Sequence, residues 1–146
     1  MEGGGTDAAN RVCRPRSAAE ARQEVEFALY PLRCAPDARY RTAHLAGVQD
    51  ATLVASELVG HVLHHGAALS RDCFLVCSLY RDEITISVTD PCDEPLPAFP
   101  DAPDPGRTGL AGGGWWLVHQ VADQVQVVQL AEGGRSITAA VPLSGP

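Results

Sequence analysis

Apolar positions recur along this chain at two spacings, and the switch between them divides it into helical and extended parts. Residues 1–16 carry Gly, Asn, Arg and Pro without periodicity and are expected to form a disordered arm. Ser17 then has the character of a helix N-cap, and Glu20, three residues on, completes a capping box. Ala21, Val25, Ala28, Leu29 and Leu32 follow at helical spacing, which predicts a first amphipathic helix of about four turns. Residues 35–47, with Pro36 and Gly47, are expected to form a connection. A second helix is predicted from Gln49 to His65, striped by Leu53, Val54, Leu58, Val62 and Leu63 and ended by Gly66.

The period then becomes two. Residues 73–80 and 84–90, joined by Arg81-Asp82-Glu83, predict an antiparallel hairpin with largely apolar faces. Residues 91–113 hold six prolines and four glycines and no apolar period, the composition of a long functional loop or lid. A third helix is predicted over 114–123, with Trp116, Leu117 and Val121 inward. Val125–Leu130 and Ile137–Val141 then pair across Gly133-Gly134 as a last hairpin. The order predicts one α+β domain over 17–146, with helices on one face of a mainly antiparallel mixed sheet.

Composition removes several chemistries. The net charge of −7 disfavours nucleic acid as a direct partner, and no apolar run is long enough for a membrane span. All eleven basic residues are Arg. Without Lys there is no P-loop lysine, Schiff base or protein-kinase β3 lysine, although coding bias alone accounts for the absence. The N-terminus lacks a signal pattern, so a cytoplasmic location is expected. The odd cysteine count without a CxxC pair points to thiols used as small apolar residues, with Cys73 and Cys77 on one core face.

Three places carry candidate chemistry. Glu57, His61 and His65 lie at i, i+4 and i+8 on one helix stripe, where two imidazoles and a carboxylate could share zinc. A polar helix edge facing a cleft explains the same residues without a metal. Asp90 ends an apolar strand where the lid begins; it is suited to accept a donor from a ligand, or simply to form a turn before Pro91. Gly112-Gly113-Gly114 precedes a helix, where backbone N–H groups and the macrodipole favour an anion; such glycines also serve as hinges.

Together these pieces resemble a family. Ala55-Ser56-Glu57-Leu58-Val59-Gly60-His61 onward to Gly66 is similar to the N-box of the GHKL (histidine-kinase-like) ATPases, in the branch of bacterial anti-sigma-factor serine kinases. Ile86-Ser87-Val88-Thr89-Asp90 resembles the next box, Gly112 to Val118 the glycine loop and its helix, and Gly133 to Ile137 the closing hairpin. The resemblance spans about residues 17–143, with the four pieces in the family's order. It implies a two-layer α/β sandwich of Bergerat type, binding ATP and Mg²⁺ between the helical layer and the lid. It makes Glu57 the catalytic base, Asp90 the adenine acceptor, Gly112 and Gly114 phosphate-loop glycines, and Ser136 a hydroxyl near the adenine.

The sequence departs from this pattern twice. His61 stands where the family places its Mg²⁺-holding Asn, and imidazole is a poor ligand for so hard a cation. Cys92 replaces the glycine of the Asp-x-Gly step, after a Pro91 that has no N–H. The expected function is therefore a regulatory, anti-sigma-factor-like domain acting by protein binding in a partner switch that controls transcription, with ATP binding weakened or lost. Its partners by resemblance are a sigma factor or an anti-anti-sigma-type antagonist, with homodimerisation through the N-terminal part. The alternatives are an active ATP-dependent serine/threonine kinase acting on that antagonist, the zinc site, and a domain that only dimerises with a relative.

Overall fold

A computed structural model describes residues 8–65, 73–91 and 113–144. In chain order these form β1 (Ala8–Cys13), α1 (Ala18–Ala28), α2 (Tyr30–Arg33), α3 (Ala38–His65), β2 (Leu75–Tyr80), β3 (Glu83–Asp90), α4 (Gly114–Val121), β4 (Gln124–Gln129) and β5 (Arg135–Pro142). The strands make one five-stranded sheet in the order β1-β2-β3-β5-β4. All its pairings are antiparallel, so the mixed sheet expected from sequence is antiparallel throughout the described residues. Alternate residues of β3 and β5 (Ile84, Ile86, Val88, then Ile137, Ala139, Val141) are buried under α3 and α4, while α1 packs on β1 and β2, which gives the two-layer α+β architecture. Within the described residues no helix is long and apolar enough to cross a membrane.

Both predicted hairpins form. Leu75–Tyr80 pairs with Glu83–Val88 around Arg81, whose φ of 57° lies in the left-handed region the tight turn demands. Gly133 and Gly134 have φ of 97° and 77° in the second hairpin. Ser17 caps α1 by accepting from the Glu20 N–H at 3.1 Å, and the Glu20 carboxylate reaches back to the Arg16 N–H at 2.9 Å.

Four expectations are corrected. Part of the arm, Ala8–Cys13, is an edge strand held to β2 by backbone pairing; Arg11 pairs with Glu24 at 2.9 Å and Cys13 packs against the core. One strand at a sheet edge needs little apolar alternation, so the sequence left no period to read. The first helix breaks at Leu29 because Pro31 has no N–H and crowds the preceding turn, leaving α2 as a separate four-residue piece. The long helix begins at Ala38, not near Gln49. Asp37 starts it, its carboxylate accepting from the Arg39 N–H at 2.9 Å and its carbonyl from the Arg41 N–H at 3.1 Å. Last, Trp115 and Val118, three apart on one face of α4, are buried, whereas Trp116, Leu117 and Val121 are only partly so. The lid expected over 91–113 lies outside the described residues except for Pro91 and Gly113, as do Cys92, Gly112 and the side chains of His64 and His65.

Gly47 looks like a loop residue in sequence but sits inside α3, because the chain end packs onto it. A Cβ there would meet the Leu143 backbone at 2.5 Å, whereas one at Gly60 would only touch the Ala18 Cβ at 4.0 Å. Chemical denaturation should therefore separate the two glycines by sign. Gly47→Ala is expected to destabilise by about 1–3 kcal/mol through overpacking, and Gly60→Ala to stabilise by about 0.5–1 kcal/mol through helix propensity.

Candidate functional site

Three polar side chains meet on the buried, helix-facing side of the sheet. Asp90 ends β3, Arg135 begins β5 directly opposite it, and His61 reaches down from α3. Asp90 and Arg135 are each 1% exposed and His61 is 9% exposed. The Arg135 Nε and Nη2 both donate to Asp90 Oδ2, at 3.0 and 2.8 Å. Nη2 also lies 3.3 Å from His61 Nε2.

The β3–β5 register makes this meeting possible, and Gly134 permits it. A Cβ on Gly134 would stand 2.7 Å from the Asp90 carbonyl oxygen and 3.0 Å from the Pro91 Cα. Only a residue without a side chain lets the hairpin end approach the mouth of β3 so closely.

Donor and acceptor chemistry fixes the state of His61. A guanidinium has donors only, so His61 Nε2 must present its lone pair to Arg135, and the imidazole is neutral. The distance of 3.8 Å from His61 Nε2 to Asp90 Oδ2 is too long for a hydrogen bond. The two charges that matter are thus those of Arg135 and Asp90, which neutralise one another where water does not reach.

The remaining sequence candidates fall around this triad. Glu57 lies one turn before His61 on α3 and is half-buried; burial alone pushes its carboxyl above the ordinary range. Ser136 does not join Asp90. The strand alternation turns it to the opposite face of the sheet, where it meets Ser87 Oγ at 3.1 Å. Gly114 opens α4 and is buried, after Gly113 with a φ of 134°. Nearby on α4, His119 stands edge-on to Trp115, with ring centroids 4.6 Å apart and planes at 82°. Burial lowers its basicity, and its Nε2 meets no partner among the described residues.

Two metal readings can be set against this geometry. No group of three His, Cys, Asp or Glu side chains among the described residues is arranged to hold a metal ion, and the His65 side chain lies outside them. For Mg²⁺ the fit is poor: His61 offers nitrogen rather than oxygen, and its Nε2 faces a guanidinium that repels a second cation. Cys73 and Cys77 suit core positions and not nucleophilic chemistry, whereas Cys34 is exposed and Cys13 only partly buried, against the expectation of thiols used as small apolar core residues. Burial raises Cys73 to about 11 and Cys77 to about 12, and both side chains are buried.

Arg135 is the site residue that sequence reading missed. Its signal was available: a lone Arg between Gly134 and an apolar strand has an i, i+2 alternation that directs it to the core face, where an ion needs a partner.

Removing one partner strands the other. Arg135→Met or Asp90→Asn alone is expected to cost about 3–5 kcal/mol in a urea titration, and Arg135→Met with Asp90→Leu to recover most of that loss. Glu57 gives a pH signature. Its folded carboxyl titrates above its ordinary value of 4.5, so the stability it contributes is present in acid and lost as pH rises through the folded value. Glu57→Gln should therefore be more stable than the parent at neutral pH, with the difference closing toward pH values below 4.5. A pH-independent difference would assign the effect to packing.

No protein-family model matches this chain and no curated protein matches it, so the functional reading rests on the resemblance in its motifs and on the site's own geometry.

Proposed function

We propose that this chain is a regulatory domain of the anti-sigma-factor type that works by binding protein partners in a transcriptional switch, with nucleotide binding lost. The partners are a sigma factor or an anti-anti-sigma-type antagonist. The observation that carries the loss of nucleotide is the Arg135 guanidinium on the Asp90 carboxylate.

The resemblance makes Asp90 the acceptor for an adenine amino group. Both Arg135 bonds fall on Oδ2, and drawing that carboxylate toward an adenine weakens a fully buried ion pair whose complete loss costs about 3–5 kcal/mol. A neutral amino–carboxylate hydrogen bond returns about 1.5–3 kcal/mol. The exchange runs uphill, and Arg135 cannot lose its charge to ease it. His61 and Cys92, at the family's metal and adenine-approach positions, act in the same direction. What remains of the fold is a two-layer scaffold whose outer sheet face and helices are open to protein contacts.

The kinase alternative has one observation in its favour. Glu57 is half-buried with a raised carboxyl, which suits a general base. Phosphoryl transfer nevertheless leans on metal electrostatics, and the residues at that position do not supply a magnesium site.

Titration calorimetry with ATP and Mg²⁺ should show no binding up to about 1 mM, whereas micromolar affinity, about −8 kcal/mol, would overturn the loss of nucleotide. His61→Asn with Cys92→Gly should leave binding absent because Arg135 still occupies Asp90. Adding Arg135→Ser should bring affinity into the measurable range. Affinity purification from native extract is expected to recover a sigma factor or an antagonist, and recovery of neither contradicts the partner assignment.

A further inference from the structure

Between α2 and the first half of α3 runs an open groove of about 360 Å³ with an apolar floor and a basic rim. Leu32 and Val48 are buried and form the floor. Leu45, 54% exposed, and Thr42 line it from α3, and Arg33 and Arg41 stand at the rim. Both guanidiniums are held in place by backbone. Arg33 Nη1 donates to the Glu26 carbonyl at 3.3 Å, and Arg41 Nη1 donates to the carbonyls of Ala35 and Pro36, the latter at 3.1 Å. Carbonyls fix the position of these groups without cancelling their charge. Neither arginine pairs with a carboxylate among the described residues, although acidic residues outnumber basic ones by eighteen to eleven in the chain. The nearest acid in sequence, Asp37, is turned to the Arg39 N–H at the start of α3.

We infer that this groove docks an acidic, apolar segment of a protein partner. A large aliphatic side chain of that segment seats on Leu32 and Val48 against Leu45, and flanking carboxylates bond to Arg33 and Arg41. Complementarity selects this occupant. A carboxylate matches the donors that each guanidinium keeps at Nε and Nη2. A nucleic acid would satisfy the arginines and leave the apolar floor unfilled, and the net charge of −7 opposes both a phosphate backbone and an anionic membrane. The same groove on a second copy fits no better, because a symmetric contact sets one basic rim against the other. With the arginines already held by carbonyls, little rotamer freedom is lost on binding. Burial of Leu45 with the floor supplies apolar contact, and the rim charges orient the segment and reject wrong partners. This docking site rests on the protein-binding reading proposed above, but not on the loss of nucleotide.

The probe is a synthetic peptide of repeated Glu-Leu-Ala units, with two controls in which Ala replaces Leu or Gln replaces Glu. Followed by backbone amide NMR on the full chain, it is expected to bind with a Kd on the order of 100 µM and to shift Thr42, Leu45 and Val48. Each control should bind about tenfold more weakly or worse. Leu45→Ser, at an exposed position that leaves the core alone, should cost about tenfold. Arg33→Glu with Arg41→Glu should abolish binding and confer affinity for the matching Lys-Leu-Ala peptide. Arg33→Glu alone, which leaves the Arg41 bonds to the α2–α3 connection intact, is the milder variant and should weaken binding about tenfold. Circular dichroism confirms that each variant is folded. Absence of shifts at the groove up to about 1 mM peptide overturns the proposal. So does binding that ignores both Leu45→Ser and the charge reversals. Octanoate bound as tightly as the peptide also overturns it, in favour of a small amphiphilic acid. The doubly reversed chain, used as bait in native extract, should lose the sigma factor or antagonist that the parent recovers. Equal recovery overturns the groove and leaves the partner reading standing. Peptide binding by a parent that recovers neither protein leaves the groove standing and removes the partner's identity.

Discussion

The buried ion pair between Arg135 and Asp90 is the constraint around which the rest of the structure is arranged. Two full charges have been taken out of water, and that is tolerable only because each is the other's partner at hydrogen-bonding distance. The requirement propagates outward. The β3–β5 register must set residue 90 opposite residue 135. Gly134 must be a glycine, because the backbone of Asp90 and Pro91 occupies the place of a side chain. His61, from the other layer, must remain neutral to accept from the guanidinium. One polar cluster thus ties the two central strands to the longest helix.

This cluster lies where the resemblance implies a nucleotide. At the mouth of β3 the acceptor that the resemblance assigns to that ligand is held by a residue of the chain itself. The change follows from ordinary energetics: an internal guanidinium is always present, at the right distance and with no entropy of association to overcome. Among the described residues this chain keeps the edge strand β4 and helices with exposed aromatic side chains such as Phe27, Tyr30 and Tyr40.

Legibility in the sequence followed the strength of the local signal. Both hairpins and the Ser17 cap were readable because short turns, strict alternation and a capping box are local patterns. The first three turns of α3 were not, since Tyr40, Arg41, Thr42 and Leu45 are exposed there and only His44, Gly47 and Val48 are buried. A helix held by one thin line of contacts leaves too weak a stripe to extend the period. β1 was missed for a related reason, because an edge strand is recruited by backbone pairing to β2. Ser136 shows the limit at the site: one step along a strand reverses the face, and the resemblance alone could not say which of Arg135 and Ser136 turns toward Asp90.

Composition and periodicity by themselves determined that this is an α+β chain with two hairpins, a long proline-rich connection and no Lys or suitably placed Asn for the chemistry its motifs suggest. These are properties of single residues and near neighbours, which a sequence states outright. Only the tertiary structure decided that Arg135 holds Asp90, that Gly47 and Gly134 are glycines because distant backbone abuts them, and that β4 stands at an edge. Each of these depends on residues far apart in sequence meeting in space, and no local pattern encodes which of them will meet.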